Sequence, residues 1–375
     1  MEPENKLSLL DVFVSIRDPR QRRKVEHDLV EVLIVAVNAV LVGADTFVEI
    51  ELWAKEKQDW LRQYLRLENG IPSHDTFGRV LGLIDPDEFE AAFCRWAKSI
   101  LPALREDRVV AIDGKTSRRS GKVGGTPLHL VSAFAADAGL VLGQRATAAK
   151  SNEKTAIPEL LSTLALTGCI VTIDAMGTQA NIAKAIRARG ADYVLAVKEN
   201  QPTLAESMRD FFSQFQIAPH QTPHTFYETT EKDHGRLETR RCYAFTQLDC
   251  LAKPEQWFDL KSFAVIESER SSKGKTSCER RFYISSLPAE ADHLARAVRA
   301  HWAVENNLHW CMDVAFADDQ MRARSGNAAH NLAILKHMTL NLIRLDPVKR
   351  QGGIKARRFI AATSDRYRAE LLGLL

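Results

Sequence analysis

The sequence predicts an α/β protein in which an all-helical N-terminal domain precedes a mixed sheet flanked by helices. Three observations lead to this class. About the first hundred residues carry apolar side chains at three- and four-residue spacing, which is typical of packed helices. From residue 108 the pattern changes to short apolar runs between helical segments, as in RVVAID, CIVTID and DYVLAVK. Further strand-like runs follow between about residues 200 and 288, and the helical period returns from Ala289.

The N-terminal domain, residues 1–104, is predicted to contain one strongly apolar helix. The stretch from Leu29 to Ala44 includes Glu31 and Asn38 and is too short and too polar to span a bilayer. We therefore expect a buried helix and no membrane association. The later segment NGIPSHDTFGRVLGLIDPDEF predicts a turn, a helix capped by Ser73, and a break before another helix.

The predicted sheet begins with three strands and continues as helix, strand, helix, strand up to residue 197. LHLVSAFAA and LVLGQRATA are separated by Asp137–Ala138–Gly139, and an Asp-x-Gly turn between such runs indicates a hairpin. The runs that end in Asp113 and Asp174 are interpreted as buried strands. If these two strands are parallel neighbours, both carboxylates meet at the carboxyl edge of the sheet.

The charge pattern is more informative than the total charge. The 375 residues include 45% hydrophobic and 26% charged residues, and the formal net charge is +3, so composition alone does not indicate a nucleic-acid-binding protein. The basic residues are concentrated in four runs, each of which alone is more commonly a solvated surface than a phosphate contact. The runs hold Arg17, Arg20, Arg22, Arg23 and Lys24; Lys115, Arg118, Arg119 and Lys122; Lys273, Lys275, Arg280 and Arg281; and Lys355, Arg357, Arg358, Arg366 and Arg368.

Several enzyme classes are excluded by motifs that the sequence lacks. The Gly-Lys-Thr triplets at 114–116 and 274–276 need a glycine five positions earlier to form a phosphate-binding loop, but Val109 and Glu269 stand there. Neither G-x-G-x-x-G after a strand nor H-E-x-x-H occurs, so nucleotide oxidoreductases and zinc peptidases have no support. The six cysteines form no C-x-x-C pair and no secretory leader is recognised, which predicts reduced thiols in a cytoplasmic protein.

Three carboxylates form the candidate catalytic centre. Phosphoryl transfer to water or to a 3′ hydroxyl is promoted by two hard cations, which prefer oxygen ligands. Asp113 and Asp174 end predicted strands, and Glu305 lies on a helix after the sheet. Each acid has an ordinary alternative: an Asp at a strand end is usually a turn or helix cap, and Asp174 could cap the helix that begins near Thr178. Glu305 alone could be a solvated helix residue.

Long motifs occur in a fixed order along the chain. They are NGIPSHDTFGRV, AIDGK, SNEKTAIPELL, VTIDAMGTQ, YVLAVKENQ, RAHWAVENNLHWCMDVAFADD and SGNAAHNLAILKHMTLNL. In sequence and order these motifs resemble the H-repeat-associated group of bacterial insertion-sequence transposases. The resemblance covers nearly the whole chain, and the number and length of the motifs make it specific.

The resemblance implies a ribonuclease H-like mixed sheet flanked by helices, with Asp113, Asp174 and Glu305 as a catalytic triad that also ligates metal. In this superfamily the long gap between the second and third acids implies a β-rich insertion. The implied divisions are a helical DNA-binding or accessory domain at 1–104, the first part of the catalytic core at 105–200, the insertion at 201–288, and the acidic helix with a basic C-terminal tail at 289–375.

The activity implied by the resemblance is that of a DNA transposase. Such an enzyme cleaves the ends of its element and joins them to target DNA by two-metal phosphoryl transfer, with two Mg²⁺ ions for which Mn²⁺ substitutes. The expected partners are double-stranded DNA, at element ends and target, and further copies of the chain in a homodimer or larger synaptic complex. The expected location is the cytoplasm, in association with the nucleoid.

The surroundings of the third acid depart from the wider pattern. Related cut-and-paste transposases carry Tyr, Arg, Glu and Lys at fixed spacing, but beside Glu305 those positions hold Val298, His301 and Met312. The phosphate contacts that the missing Arg and Lys would make must then come from other residues. His301 is either a phosphate contact or a packed helix residue, and Asp313 is an alternative to Glu305. The predicted DNA-binding residues are Lys115, Arg118, Arg119, Lys198, His301 and Asn306.

Two other functions remain open at the level of sequence. A metal-dependent DNA nuclease could use the same core to cut without joining, because joining reuses the same site with a 3′ hydroxyl in place of water. A catalytically inactive transposase-derived DNA-binding protein is the second alternative. The presence of all three acids favours the catalytic hypotheses.

Overall fold

The structure is a computed structural model. It describes residues 6–101, 107–121, 126–147, 153–233, 236–272, 275–346 and 352–374. The predicted boundary at residues 104–105 and the basic residues Lys122 and Lys273 lie outside these ranges.

Within the described residues, nine strands form one mixed sheet in the order β3-β2-β1-β4-β5-β9-β8-β7-β6. β1 is parallel to β4, and β4 is parallel to β5, whereas β2 and β3 are antiparallel to their neighbours. The arrangement confirms the predicted ribonuclease H-like mixed sheet, and the hairpin between β2 and β3 is confirmed as well. The first five strands are Val109–Ser117 (β1), Leu128–Ala135 (β2), Leu140–Thr147 (β3), Ile170–Ile173 (β4) and Asp192–Val197 (β5).

Helices cover both faces of these strands, which explains why the strands are apolar on both sides. On β1, Val110 and Ile112 face one core and Ala111 faces another, as the alternation of side chains along a strand requires. The first face packs against α7 (Glu153–Thr163), α8 (Ala180–Ala188) and α9 (Pro202–Ile217). The opposite face packs against α10 (Ala291–His301), α11 (Trp310–Phe316) and α12 (Ala328–Arg344).

The strands predicted between residues 200 and 288 continue the same sheet. β9 pairs antiparallel with β5, with Val194 opposite Ser285, and the remaining strands follow as an antiparallel series. The inner half of β9 is buried while its outer half is exposed, so the outer ends of these strands reach beyond the helices. The four strands are Thr225–Asp233 (β6), Arg236–Phe245 (β7), Ser262–Ser272 (β8) and Lys275–Ser285 (β9). Helix α9, which precedes them, is absent from the predicted elements.

The N-terminal helices share one hydrophobic core with the last helices of the chain. Buried side chains of α2 lie in the same cluster as those of α11 and α12. Asn331 on α12 reinforces the contact, because its Nδ2 donates to the carbonyl oxygens of Leu81 and Ile84 at 2.7 and 2.9 Å. The helices are Leu9–Val14 (α1), Leu29–Val42 (α2), Phe47–Glu56 (α3), Gln58–Leu61 (α4), His74–Leu83 (α5), Pro86–Ile100 (α6), Ile354–Thr363 (α13) and Asp365–Leu372 (α14).

The apolar helix α2 is buried, as predicted. Asp28 caps its start and Gly43, with a φ of 116°, ends it in the left-handed conformation that glycine adopts readily. In the described part of the chain, no single helix is long and apolar enough to cross a bilayer. Helices α2 and α3 meet the length and composition criteria only when taken together, and they are bent by 95° relative to each other.

Candidate active site

Asp113 and Asp174 lie next to each other where the parallel pairing of β1 with β4 ends. The last pair of the parallel ladder between β1 and β4 is Ile112 opposite Ile173. Asp113 directly follows Ile112, and Asp174 directly follows Ile173. The predicted parallel neighbourhood of the two strands is therefore confirmed. The interpretation that Asp113 ends its strand is wrong, because β1 continues to Ser117 through its antiparallel pairing with β2.

Asp174 is held in place by the backbone that follows it. Its Oδ1 accepts hydrogen bonds from the amides of Met176 and Gly177 at 3.1 and 3.3 Å, where the chain forms a 3₁₀ turn. The capping role expected for such an aspartate is thus present. Both amides donate to Oδ1, so Oδ2 of Asp174 takes no part in the cap.

Glu305 lies on a π-helical turn, Val304–His309, between α10 and α11. Single π turns within helices are rare and are often found at functional sites. The carboxylate is exposed and lines a cleft of about 270 Å³ that Asp174 also lines. Lys198 and His301, which were predicted from the sequence, face this cleft, and so does Arg281. Asn306 is the exposed neighbour of Glu305.

Asp174 and Glu305 are close enough to Asp113 to influence its ionisation. Burial, and after it the negative charges of Asp174 and Glu305, together raise the pKa of Asp113 to about 7, against a hydrogen bond from the Gly114 amide that lowers it. The charge of Glu153 acts in the same direction. A bound cation would relieve this repulsion. Among the described residues, however, no three His, Cys, Asp or Glu side chains converge into a ready-made metal site.

His309 is a neighbour of Asp113 that the sequence analysis did not identify. Its Nδ1 lies 3.5 Å from Oδ2 of Asp113, and burial lowers the pKa of the ring to about 3, so the ring is neutral at neutral pH. Nε2 is buried without a hydrogen-bond partner in the described part of the chain. The signal available in the sequence was its position four residues after Glu305, on the same side of a helix.

A buried pair formed by His129 and Glu153 lies next to Gly114, the residue after Asp113, and was not predicted from the sequence. Nε2 of His129 is 2.7 Å from Oε1 of Glu153, its Nδ1 is 2.7 Å from Thr116 Oγ1, and the His–Glu pair is almost fully buried. Both side chains occupy the space that a side chain at Gly114 would need. The residue after Asp113 is therefore glycine for a steric reason. The pair itself could be found only by knowing that β2 and the start of α7 meet there.

Replacing Gly114 with alanine is expected to lower the free energy of unfolding by about 2–3 kcal/mol, as overpacking of a filled core does. The added Cβ would lie 2.7 Å from Nε2 of His129 and closer still to Glu153. Chemical denaturation measures the change. Gly353→Ala is the matched control, because nothing lies within 4 Å of its Cβ and its φ is negative, and a change below about 1 kcal/mol is expected there. Equal losses in the two variants would contradict this account.

The predicted basic residues at the end of β1 make different contacts. Nζ of Lys115 lies 2.7 and 2.8 Å from the two carboxylate oxygens of Asp313, so the predicted alternative to Glu305 is engaged in an ion pair. Arg118 is largely exposed, with its Nε 3.5 Å from Asp319. Arg119 donates to the side-chain oxygen of Gln320.

His301 lines the cleft but its ring is largely buried. Its Nδ1 lies 2.9 Å from the hydroxyl of Thr172, and burial lowers the pKa of the ring to about 4 despite the opposing charge of Asp174. The ring is therefore neutral at neutral pH. The neighbouring Arg281 lines the same cleft; its guanidinium forms an ion pair with Glu279 at 2.8 Å and lies 4.5 Å above the ring of Trp302.

The fold defines the class of the chain as a ribonuclease H-like protein with acids at the edge of a mixed sheet. The family model described as “Transposase DDE domain” matches residues 104–342, and the model described as “DDE_Tnp_1-associated” matches residues 10–97. The chain belongs to the DDE transposase family.

The relatives agree with the resemblance found in the sequence. “Putative transposase YncI” of Escherichia coli O157:H7 is 42% identical over 97% of this chain and 94% of its own length. “H repeat-associated putative transposase YhhI” of Escherichia coli strain K12 is 38% identical over 97% of each chain. A shorter match, “Inactive transposase YbfQ” of the same strain, is 44% identical over 17% of this chain and 76% of its own length. Membership of the H-repeat-associated group is therefore confirmed.

One solved structure is similar over most of its length. A chain of the “piggyBac transposase synaptic complex with hairpin DNA” covers 98% of this chain and 80% of its own, with 10% identity and a TM-score of 0.42.

Proposed function

We propose that this chain cleaves the ends of its own DNA element and joins them to target DNA, with Asp113, Asp174 and Glu305 as catalytic residues. The observation that carries the proposal is the position of the first two acids, which follow paired residues on parallel strands. The effect of the charges of Asp174 and Glu305 on the pKa of Asp113 supports it.

The donor types fit Mg²⁺. Carboxylate oxygens are its usual protein ligands, and the raised pKa of Asp113 is the electrostatic effect that a divalent cation would reverse. Asp113 and Asp174 would hold two such ions and Glu305 would complete the set, with Mn²⁺ able to substitute. When bound, the ions would activate the attacking oxygen and stabilise the leaving oxygen of the phosphodiester.

The protein side chains then bind and orient the DNA. Lys198 and Arg281 line the cleft beside Asp174 and would contact the phosphate next to the cleaved bond. Arg281 would first have to exchange its ion pair with Glu279 for that phosphate. The cation–π contact with Trp302 limits the movement of Arg281, which favours a fixed hydrogen-bond geometry. His301 and Asn306 would contact the DNA as neutral groups.

Basic residues along β1 divide between two roles. Arg118 and Arg119 would contact the DNA backbone directly, because the first is exposed and the second extends from the same strand end. Lys115 would first have to exchange its ion pair with Asp313 for a phosphate. Both ends of an element must be handled together, so the acting species would be a homodimer or larger complex on double-stranded DNA of the nucleoid, in the cytoplasm.

Metal-dependent cleavage is the direct test. Purified protein is incubated with a plasmid that carries the DNA flanking its own gene on both sides of a marker. We expect cleavage at the element ends with Mg²⁺ or Mn²⁺, binding without cleavage with Ca²⁺, and no cleavage in EDTA. Mapping the products to the nucleotide measures the outcome, and the Glu305→Gln variant is the control for contaminating nucleases.

The products also separate the alternatives. Joined products with the marker in a new site identify a transposase, whereas cleaved products alone identify a nuclease on the same core. Undiminished cleavage in EDTA would refute the metal-dependent mechanism. DNA binding without any cleavage under all metal conditions would identify a catalytically inactive DNA-binding protein.

A further inference from the structure

A groove of about 420 Å³ lies between the N-terminal helices and the segment 321–327, which connects the region of α11 to α12. Helix α5, the start of α3 and this segment form its walls. Three arginines from two distant parts of the sequence line it: Arg79, Arg322 and Arg324. Arg322 and Arg324 belong to none of the four basic runs in the sequence, and neither does Arg79.

These arginines carry positive charge that nearby carboxylates do not neutralise. All three are exposed, and within the described ranges neither Arg79 nor Arg322 has a hydrogen-bond or ion-pair partner. Arg324 donates only to the backbone oxygen of Arg119, at 3.3 and 3.4 Å. Arginines elsewhere on the surface behave differently, since Arg241 bridges two glutamates across neighbouring strands.

The acidic residues of the groove do not cancel this charge. Asp45 forms an ion pair with Arg358, with 3.0 Å between the charged atoms. The side chain of Asp75 is 91% exposed and lies 3.6 Å from a ring nitrogen of His74. Of the two acids in the groove, only Asp75 lacks an arginine or lysine partner. Three arginines therefore outnumber one unpaired carboxylate, and the groove attracts anions.

The two walls of the groove are fixed to each other. The amide of Asn327 donates to the carbonyl oxygen of Gly82 at 3.0 Å, and its side chain donates to Ile84. A Cβ at Gly82 would lie 2.8 Å from the carbonyl oxygen of Ser325, so the backbones are in close contact. The backbones that carry the arginines are thus fixed relative to each other, so only the arginine side chains need to be ordered when a ligand binds.

We propose that this groove binds the phosphate backbone of double-stranded DNA. The guanidinium group matches the geometry of phosphate oxygens, and an exposed groove with several unpaired arginines suits a polyanion. The contact between Arg324 and Arg119 places the groove beside the strand that carries Asp113. The inference rests on the proposed function, since it assigns one DNA-binding surface to that activity.

The test compares DNA binding of the full chain with that of the triple variant Arg79→Gln, Arg322→Gln, Arg324→Gln. The probe is a fluorescent 30-base-pair duplex of mixed sequence, and anisotropy is measured in EDTA at several salt concentrations. Loss of three phosphate contacts should reduce the salt slope by about 2.7 and weaken binding by about 30- to 100-fold at 0.15 M salt. Thermal melting of each variant verifies that it is folded.

Two control variants separate a specific groove from general charge. Arg62→Gln, Arg66→Gln, Arg189→Gln removes the same charge from exposed residues outside the groove, and less than a 3-fold loss is expected. The triple lysine variant of the groove keeps the charge and should retain most of the salt slope. Wild-type-like binding by the glutamine variant of the groove, or equal losses in both glutamine variants, overturns the inference and leaves the proposed function standing. Absence of salt-dependent binding by the wild-type chain overturns both.

Discussion

Replacing Asp113 with asparagine is expected to abolish DNA cleavage and, at the same time, to stabilise the metal-free protein. Asparagine keeps the shape of the side chain and can still accept the hydrogen bond from the Gly114 amide, whose length is 2.9 Å. It removes the charge that would bind metal. We expect a loss of cleavage of at least about 10³-fold, which corresponds to about 4 kcal/mol of transition-state stabilisation.

The stability gain follows from the direction of the pKa shift. Folding raises the pKa of Asp113 from 3.8 to about 7, so the ionised carboxylate destabilises the folded state above pH 7 and has no effect below the unfolded value. The upper limit is about 4 kcal/mol at pH 8, and it falls by more than half at pH 5. Urea unfolding in EDTA at both pH values measures the difference between wild type and variant.

A matched control for this variant is Asp210→Asn, which changes an exposed aspartate on α9. It should leave cleavage unchanged and alter stability by less than about 0.5 kcal/mol at either pH. A destabilised Asp113→Asn protein at pH 8 would show that the carboxylate is held by favourable contacts rather than against repulsion. Retained cleavage by that variant would refute its catalytic role.

Replacing Lys336 with methionine is expected to destabilise the fold by about 3–5 kcal/mol. Lys336 is fully buried on α12, with its Nζ 3.3 Å from Asp318, whose other oxygen accepts a hydrogen bond from Ser117 at 2.5 Å. Burial alone would raise the pKa of Asp318, but the lysine charge and the Ser117 hydroxyl lower it, so the aspartate is ionised. Methionine would leave this charge buried without its partner.

The double variant Lys336→Met, Asp318→Leu tests the cause of that loss. Removing both charges should recover most of the stability, to within about 1–2 kcal/mol of wild type, because replacing a buried pair is much less harmful than breaking it. Lys184→Met, on the exposed side of α8, is the surface control and should change stability by less than about 0.5 kcal/mol. Chemical denaturation gives all three values. No recovery in the double variant would show that packing, not charge, is responsible.

The parts of the fold predicted from sequence are those with a strong local signal. β1, β4 and β5 are apolar on both faces, so their runs are distinct, and the turn at Asp137–Gly139 is recognisable from its residue types. Helix α9 is absent from the predicted elements although Leu204, Met208 and Phe212 recur at helical spacing. The pairing of β9 with β5 joins residues about ninety positions apart, and no local pattern specifies it.

The same distinction applies to the candidate site. Asp113 and Asp174 could be predicted as neighbours because each follows a buried run, and parallel strands bring such positions together. The π turn at Glu305 could not, because its sequence continues an ordinary helical pattern. The ion pair between Lys115 and Asp313 and the contact of His309 with Asp113 depend on how α11 and the π turn before it pack against β1.

The core that joins the first and last helices also determines when the protein can finish folding. Leu41 on α2 belongs to the same cluster as Val304 and Leu308, so the ribosome must add more than 250 further residues before these C-terminal members of the cluster exist. At bacterial rates of translation this takes about 10–50 s, during which α2 is an apolar segment without its final neighbours. A nascent or prematurely terminated chain would therefore expose this surface to chaperones and proteases. Truncated copies of the gene would yield short-lived products rather than stable DNA-binding fragments.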